Sequence, residues 1–285
     1  MIPAAFGYVR PASLGEALRL LSAEDGARVL AGGQSLLPLL KLRLASTERL
    51  IDIGRLAELR GIRDVGDGAT EIGALTTYRE LLASPLVTKR YPFVIGAVSR
   101  IGDLQVRNRG TVGGSIAHAD PASDLPALLL ALDGEVELRS TGGSRTVPAA
   151  AFFEGPFSTA ARHDEIVTAI RLPAMRSGGG GAYRMLEQPA SGYAIVGVAA
   201  VVAMTGGRVA HVRVGITGVG DVAFRATGVE GALLGTDGSA ESVAAAAGHA
   251  VHGITVNADI HADAAYRTAM AEVLARRALD AALGR

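Results

Sequence analysis

The chain has 285 residues, of which 49% are hydrophobic and 20% are charged, and 28 basic residues balance 28 acidic ones. This length and apolar content predict a folded chain of two or three subdomains, and the zero net charge argues against a nucleic-acid or anionic-membrane partner. The chain contains no cysteine, which excludes disulfides and any thiolate-held zinc or iron–sulfur site within these residues.

The first part of the chain predicts a small βαβ unit with a parallel sheet. Ser13 and Glu16 have the spacing of a capping box, which opens a helix over residues 17–21. Short apolar strands are predicted at residues 27–31 and 50–53. Between them, Gly32 and Gly33 end the first strand before a helix over residues 36–44. Strand, glycine turn, helix and strand are the components of a βαβ unit.

The middle of the chain predicts a mixture of helices and antiparallel strands. A strand over residues 70–74 precedes Thr77 and Glu80, which form a second capping box and open a short helix. We predict further helices at residues 89–100 and 125–132, strands at 135–139, 144–147 and 165–172, and a loop at 110–122, where Gly, Ala, Asp and Pro prevail. The Ser-Gly-Gly-Gly-Gly run at residues 177–181 predicts a flexible joint and a domain boundary.

The last part predicts strands followed by helices. Strands are expected at residues 182–187, 194–204 and 209–217, with Gly206 and Gly207 turning the last two into a hairpin. Helices are expected at residues 227–234, 240–251 and 263–283. The longest apolar run, residues 193–204, is too short to cross a bilayer, which needs about 20 residues. No signal-peptide pattern is present at the N-terminus, so we expect a cytoplasmic protein without a membrane span.

Two similar glycine turns are the most informative feature, Ala31-Gly32-Gly33-Gln34-Ser35 and Thr111-Val112-Gly113-Gly114-Ser115. Glycine permits positive φ and close approach of a phosphate, so successive N–H groups can converge on an anion. Two such turns can hold the two phosphates of one pyrophosphate. Each turn alone is also explained as a tight turn in a glycine-rich chain. Neither fits the P-loop or the GxGxxG dinucleotide pattern.

The residues around both turns resemble a known family. Residues 31–44 resemble the first FAD motif of the flavoprotein subunits of molybdenum hydroxylases, and residues 101–124 resemble their second motif. The chain is similar to the medium subunit of the aerobic carbon monoxide dehydrogenase type, which is related to the FAD domain of xanthine dehydrogenase. The resemblance implies an α+β fold: a PCMH-type FAD-binding domain over residues 1–177, with subdomains at about 1–55 and 56–177, and a C-terminal domain over 178–285. That last domain would pack a three-stranded antiparallel sheet on a helical bundle.

The resemblance also implies a set of FAD-binding residues. The two turns would hold the pyrophosphate, Asp124 would accept a hydrogen bond from a sugar or ribityl hydroxyl, and Ile101 would pack on the isoalloxazine ring. The full set is Val29, Leu30, Ala31, Gly32, Gly33, Gln34, Ser35, Leu36, Ile101, Thr111, Val112, Gly113, Gly114, Ser115, Asp124, Val167, Arg184 and Tyr193.

Several of these assignments have plain structural alternatives. Asp124 also suits a helix N-cap, and Ile101 suits an ordinary core position. Tyr193, placed by the resemblance near the reactive edge of the flavin, suits simple packing at the start of a strand. Arg184, placed near the flavin, suits an exposed strand arginine, which we favour slightly.

The function implied by the resemblance is electron transfer within a larger complex. Electrons would pass from [2Fe-2S] clusters on a small subunit to FAD here and then to a quinone, NAD or oxygen, while molybdopterin sits on a large subunit, in a dimer of heterotrimers. No catalytic side chain and no metal site are expected in this chain, since His249, His252 and His261 lack an accompanying His-Glu-x-x-His pattern. Two alternatives stay open: a stand-alone FAD-dependent oxidoreductase, and a scaffold that kept the fold and lost the cofactor.

Overall fold

The first sheet of the computed structural model, which describes residues 2–285, has three parallel strands in the order β1-β3-β2. Ser13 caps the first helix, since its hydroxyl accepts a hydrogen bond from the Glu16 amide. The predicted βαβ unit is confirmed, and β1 extends it by a strand that the sequence did not predict. Its elements are β1 (Gly7–Val9), α1 (Leu14–Ala23), β2 (Ala27–Leu30), α2 (Leu36–Lys41) and β3 (Arg49–Asp52).

The second sheet has five antiparallel strands in the order β4-β5-β10-β6-β7, with helices inserted between β5 and β6. The capping box at Thr77 is confirmed, because the Thr77 amide donates to Glu80 at 2.7 Å and the Glu80 amide donates back to the Thr77 hydroxyl at 3.2 Å. The elements are β4 (Ile62–Asp64), β5 (Thr70–Gly73), α3 (Tyr78–Leu82), α4 (Pro85–Arg90), α5 (Pro92–Val98), α6 (Leu104–Arg109), α7 (Val112–His118), α8 (Asp124–Ala131), β6 (Glu135–Ser140), β7 (Gly143–Pro148), β8 (Phe153–Gly155), β9 (Ser158–Thr159) and β10 (Ile166–Leu172).

The third sheet is antiparallel, in the order β11-β12-β13-β14, and both of its faces are covered. Its central strand β12 is buried along nearly all its length, which explains the long apolar run there. The sheet has a fourth, two-residue strand in addition to the three expected. The elements are β11 (Gly179–Glu187), β12 (Ala194–Thr205), β13 (Arg208–Thr217), β14 (Phe224–Arg225), α9 (Thr227–Leu233), α10 (Ala240–Ala247) and α11 (Ala264–Ala282).

Two secondary-structure predictions in the middle of the chain were wrong, one of a loop and one of a helix. The loop predicted at residues 110–122 contains α7, because Thr111 caps the helix and its first turn packs against the end of β5. The single helix predicted over residues 89–100 is two helices, α4 and α5, broken at Tyr91 by the following Pro92.

The flexible joint predicted at residues 177–181 is also wrong in part. Gly179, Gly180 and Gly181 belong to β11 and pair with β12. Glycine is required there by close packing, since a Cβ on Gly180 would lie 2.1 Å from the carbonyl oxygen of Ala282 and a Cβ on Gly181 would lie 2.4 Å from the ring of Phe93. The run is a contact surface between β11, α11 and α5.

Helix α8 joins the second and third sheets. A Cβ on Gly215 of β13 would lie 2.1 Å from the carbonyl oxygen of Ala127 in α8, so the helix lies directly on the strand backbone. This contact brings the first residue of α8, Asp124, close to the third sheet. None of the helices in residues 2–285 combines the length and the apolar character that crossing a membrane requires.

Candidate cofactor site

A cavity of about 890 Å³ lies where the first and second sheets meet, with its far wall completed by the loop before β12. This volume falls in the range of small-molecule and cofactor sites. Both glycine turns line the cavity, and the first turn lies against the residues immediately before the second. A Cβ on Gly32 would lie 2.2 Å from the carbonyl oxygen of Arg109, just before the second turn. The two turns, although distant in sequence, therefore converge on one place.

The first turn presents free backbone donors to the cavity. Gly33 has φ +75°, a left-handed conformation that glycine adopts without strain. Within residues 2–285, the amides of Gly33, Gln34 and Ser35 donate to no protein acceptor. Successive unengaged N–H groups beside a cavity are suited to bind an anion. The structure thus has the donor arrangement that was expected of this turn.

The second turn differs from that expectation. The amides of Val112 and Gly113 donate to the carbonyl oxygens of Thr76 and Ala74, both at 2.9 Å. Those of Gly114 and Ser115 donate to the Thr111 hydroxyl and carbonyl. All four amides thus have protein acceptors, so the second turn does not present free amides, and a contact of these residues with a phosphate stays a prediction.

The glycines of the second turn act through the side chains they lack. A Cβ on Gly113 would lie 2.4 Å from the Cβ of Ala74, so glycine lets α7 approach β5. Gly114 lines the cavity, where a Cβ would lie 2.7 Å from the Thr111 hydroxyl oxygen, and the Ser115 hydroxyl lies 2.9 Å from that of Ser123. The second turn therefore supplies shape and hydroxyl groups rather than free amides.

The remaining predicted residues have different environments. Ile101 lines the cavity and also packs on the core, so the core interpretation is confirmed, while its contact with the isoalloxazine ring stays a prediction. Val167 of β10 is buried at the cavity wall, and Tyr193 lines it with 44% of its surface exposed. The cavity is lined by all predicted residues except two: Val29, Leu30, Ala31, Gly32, Gly33, Gln34, Ser35, Leu36, Ile101, Thr111, Gly113, Gly114, Ser115, Asp124, Val167 and Tyr193.

Val112 and Arg184 are the two predicted residues that lie outside the cavity lining. Val112, the first residue of α7, is fully buried. Arg184 is exposed, and its guanidinium donates to the carbonyl oxygen of Tyr183. Alternate residues of a strand face opposite sides, so Tyr183 faces inward where Arg184 faces solvent. Arg184 thus has the environment of the exposed strand arginine that was the alternative.

Asp124 is the most perturbed acid of the cavity. It is 5% exposed, and burial raises its pKa from 3.8 to about 6, although the hydrogen bond donated by the Tyr183 hydroxyl acts in the opposite direction. Ser123 occupies the N-cap position of α8 and Asp124 is the first helical residue, so the N-cap alternative was wrong. A buried carboxylate with an accepting oxygen at a cavity wall suits a ligand that donates hydroxyl hydrogen bonds.

Several cavity residues were not assigned a role from the sequence. Tyr78, His118, Asp120 and Ser123 all line the cavity. Burial raises the pKa of Tyr78 to about 12 and lowers that of His118. The last three lie inside the stretch 101–124 already quoted for its family resemblance, whereas Tyr78 gave no signal beyond following a capping box. Within residues 2–285, no three metal-ligating side chains come together.

Comparison with known proteins agrees with this geometry. A family profile described as the FAD binding domain in molybdopterin dehydrogenase matches residues 4–175, and one described as the CO dehydrogenase flavoprotein C-terminal domain matches residues 181–282. The chain is 44% identical to the carbon monoxide dehydrogenase medium chain of Hydrogenophaga pseudoflava, covering 100% of this chain and 99% of the relative. It is 40% identical to the glyceraldehyde dehydrogenase medium chain of Sulfolobus acidocaldarius, covering 98% of each.

A solved structure shows the same fold. Carbon monoxide dehydrogenase from Hydrogenophaga pseudoflava, in a form lacking the Mo-pyranopterin moiety, superposes with a TM-score of 0.96 at 45% identity, covering 100% of this chain and 99% of that one. Both family profiles, two full-length relatives and this superposition agree. The chain belongs to the FAD-binding medium-chain family of the molybdopterin dehydrogenases.

Proposed function

We propose that this chain is the FAD-carrying electron-transfer subunit of a heteromeric molybdenum hydroxylase of the carbon monoxide dehydrogenase medium-chain type. It would stand between [2Fe-2S] clusters on a small partner subunit and an external acceptor. The observation that carries the proposal is the contact between Gly32 and the Arg109 carbonyl, which brings both family motifs to one cavity. Substrate hydroxylation would take place on a large partner subunit that holds molybdopterin.

The cavity residues fit FAD by the chemistry of their exposed groups. The free amides of Gly33, Gln34 and Ser35 would bind the pyrophosphate, and the Asp124 carboxylate would accept from a sugar or ribityl hydroxyl. Ile101 and Tyr193 offer an apolar and an aromatic surface for a flat ring. When bound, FAD supplies reversible storage of two electrons, and the protein contributes binding, orientation and exclusion of water.

The assembly follows from what the chain lacks. Its 285 residues include no cysteine, and iron–sulfur clusters are held by cysteine thiolates, so the clusters would sit on another chain. We propose a cytoplasmic dimer of heterotrimers with a quinone, NAD or oxygen as acceptor. The relatives named above are a carbon monoxide and a glyceraldehyde dehydrogenase chain, so similarity alone leaves the hydroxylated substrate open among carbon monoxide, aldehydes, N-heterocycles and purines.

The first experiment is a spectrum of the chain purified with its partner subunits. Bound oxidised flavin gives an absorption band at about 450 nm, and its absence would overturn the proposal. A Gly114→Trp variant places an indole in the cavity wall and should abolish FAD binding. Gly231→Trp is the matched control, because a Cβ on Gly231 would meet nothing within 4 Å, and it should bind FAD normally.

A second measurement separates the subunit from a stand-alone oxidoreductase. The isolated, FAD-loaded chain should turn over none of carbon monoxide, aldehydes, purines and N-heterocycles, whereas the complex should turn over one of these classes. Native mass spectrometry of the complex should show two copies each of three different chains. Turnover by the isolated chain would instead support the stand-alone alternative.

A further inference from the structure

The third sheet holds the turn that carries Asp124. The Thr217 hydroxyl at the end of β13 lies 2.8 Å from the carbonyl oxygen of Pro121 and 2.9 Å from that of Ser123. The amide of Gly218 donates to the same Pro121 oxygen at 2.8 Å. Residues about 95 positions later in the chain therefore fix the backbone immediately before Asp124.

Among residues 2–285, Tyr183 of β11 donates the one side-chain hydrogen bond from this sheet to the carboxylate itself. Its hydroxyl donates to Oδ1 of Asp124, and both residues are buried. The neighbouring strand leaves room for that hydroxyl, because a Cβ on Gly197 of β12 would lie 2.2 Å from it. Tyr183 does not line the cavity, so its hydroxyl acts on a ligand only through Asp124.

The groups facing Asp124 come from every neighbouring element. Two full charges act on the pKa of Asp124 in opposite directions, Arg100 and Glu187, and they form an ion pair of 2.9 Å between Nη2 and Oε2. The hydrogen bond from Tyr183 lowers the pKa of Asp124, and burial raises it. The titratable and charged neighbours are Tyr183, Arg100, Glu187, Tyr78, Tyr193, Asp120 and His118.

We propose that Tyr183 is a positioning residue, by which the C-terminal sheet holds the Asp124 carboxylate ionised and oriented to accept a hydrogen bond from the cofactor. The inference rests on the proposed function, since it states how the Asp124 carboxylate is positioned in the wall of the FAD cavity. A carboxylate buried this deeply needs a donor to stay ionised near neutral pH. Tyr183 supplies that donor without occupying space in the cavity.

The test measures the ionisation of Asp124 and the FAD affinity of the full chain separately. The ¹³C resonance of the Asp124 carboxyl, assigned with Asp124→Asn, is titrated in the chain without FAD. FAD binding is followed by fluorescence quenching from pH 5 to 8.5. In Tyr183→Phe the Asp124 midpoint should move up by about one pH unit, so that FAD affinity at pH 6 falls about fivefold while that at pH 8.5 hardly changes.

Tyr91→Phe is the matched control. It also removes a buried hydroxyl, one that bonds to the carbonyl oxygens of Leu172 and Pro173 and not to Asp124, and should leave both profiles unchanged. Asp124→Asn should remove the pH dependence of binding. If the wild-type chain binds FAD and Tyr183→Phe leaves both profiles unmoved, this inference is overturned and the proposed function stands. A wild-type chain that binds no FAD at any pH overturns both.

Discussion

The contact between Gly32 and Arg109 predicts a large effect of a single methyl group. A Cβ built on Gly32 lies 2.2 Å from the carbonyl oxygen of Arg109 and 3.0 Å from its carbonyl carbon. Ordinary contact begins at about 3.4 Å, so in Gly32→Ala the two turns must separate by about 1 Å. The atom in the way belongs to the backbone, so a change of rotamer cannot relieve the overlap. Overpacking of this kind costs about 1–3 kcal/mol of unfolding free energy.

The assays for Gly32→Ala are thermal unfolding and FAD titration. We expect Tm to fall by roughly 3–9 °C. Loss of one hydrogen bond to a phosphate would weaken FAD binding about tenfold or more. Gly96→Ala is the control, because a Cβ there meets nothing within 4 Å in the exposed face of α5, and it should raise stability by up to about 1 kcal/mol. A Gly32→Ala chain with wild-type Tm and FAD affinity would refute the convergence of the two turns as the basis of binding.

Three further predictions concern stability. Arg225→Met leaves the buried Glu230 carboxylate without its bidentate partner, whose nitrogens lie 2.5 Å from it. We expect this variant to lose about 3 kcal/mol of unfolding free energy in chemical denaturation, whereas Arg276→Met at an exposed pair should lose under about 0.5 kcal/mol. Equal losses in the two variants would contradict this prediction. Thr111→Val removes the cap of α7 and should cost about 1 kcal/mol; an unchanged denaturation midpoint would argue against the cap. The fold raises the pKa of Asp124 from 3.8 to about 6. Ionisation of Asp124 therefore lowers the unfolding free energy by nothing below pH 3.8, by an increasing amount up to pH 6 and by a constant amount above it. The unfolding free energy of Asp124→Asn should rise relative to that of the wild type by on the order of 2 kcal/mol between pH 4 and 8, and a difference independent of pH would disprove the shift.

Local sequence patterns correctly predicted the features whose geometry depends on residues only a few positions apart. The capping box of Thr77 and Glu80 depends on residues three positions apart, and both of its hydrogen bonds are present. The hairpin at Gly206 and Gly207 depends on two positive φ angles, 60° and 75°, which glycine adopts readily. The family motifs likewise identified a large part of the cavity wall, because each motif is contiguous in sequence.

The sequence alone did not predict the elements that depend on contacts between segments far apart in the chain. Helix α7 contains two adjacent glycines, which disfavour a helix, and it is stabilised by carbonyls of Ala74 and Thr76 that lie far away in sequence. Gly180 and Gly181 of β11 pack closely against α11 and α5, and no local pattern reveals these contacts. The Tyr183 hydroxyl donates to Asp124 although the two residues are 59 positions apart in the chain. The local sequence indicates only that Tyr183 faces inward on a strand.

The fixing of the Asp124 turn by Thr217 and Gly218 has a consequence for biosynthesis. A nascent chain that has emerged only as far as residue 180 already carries both glycine turns. Thr217 and Gly218, which bond to the backbone of residues 121–123, have not yet emerged. Firm capture of the flavin therefore waits until β13 has been made and has paired with β12. We therefore expect nascent chains that stop before β13 to hold the flavin less firmly than the complete chain does.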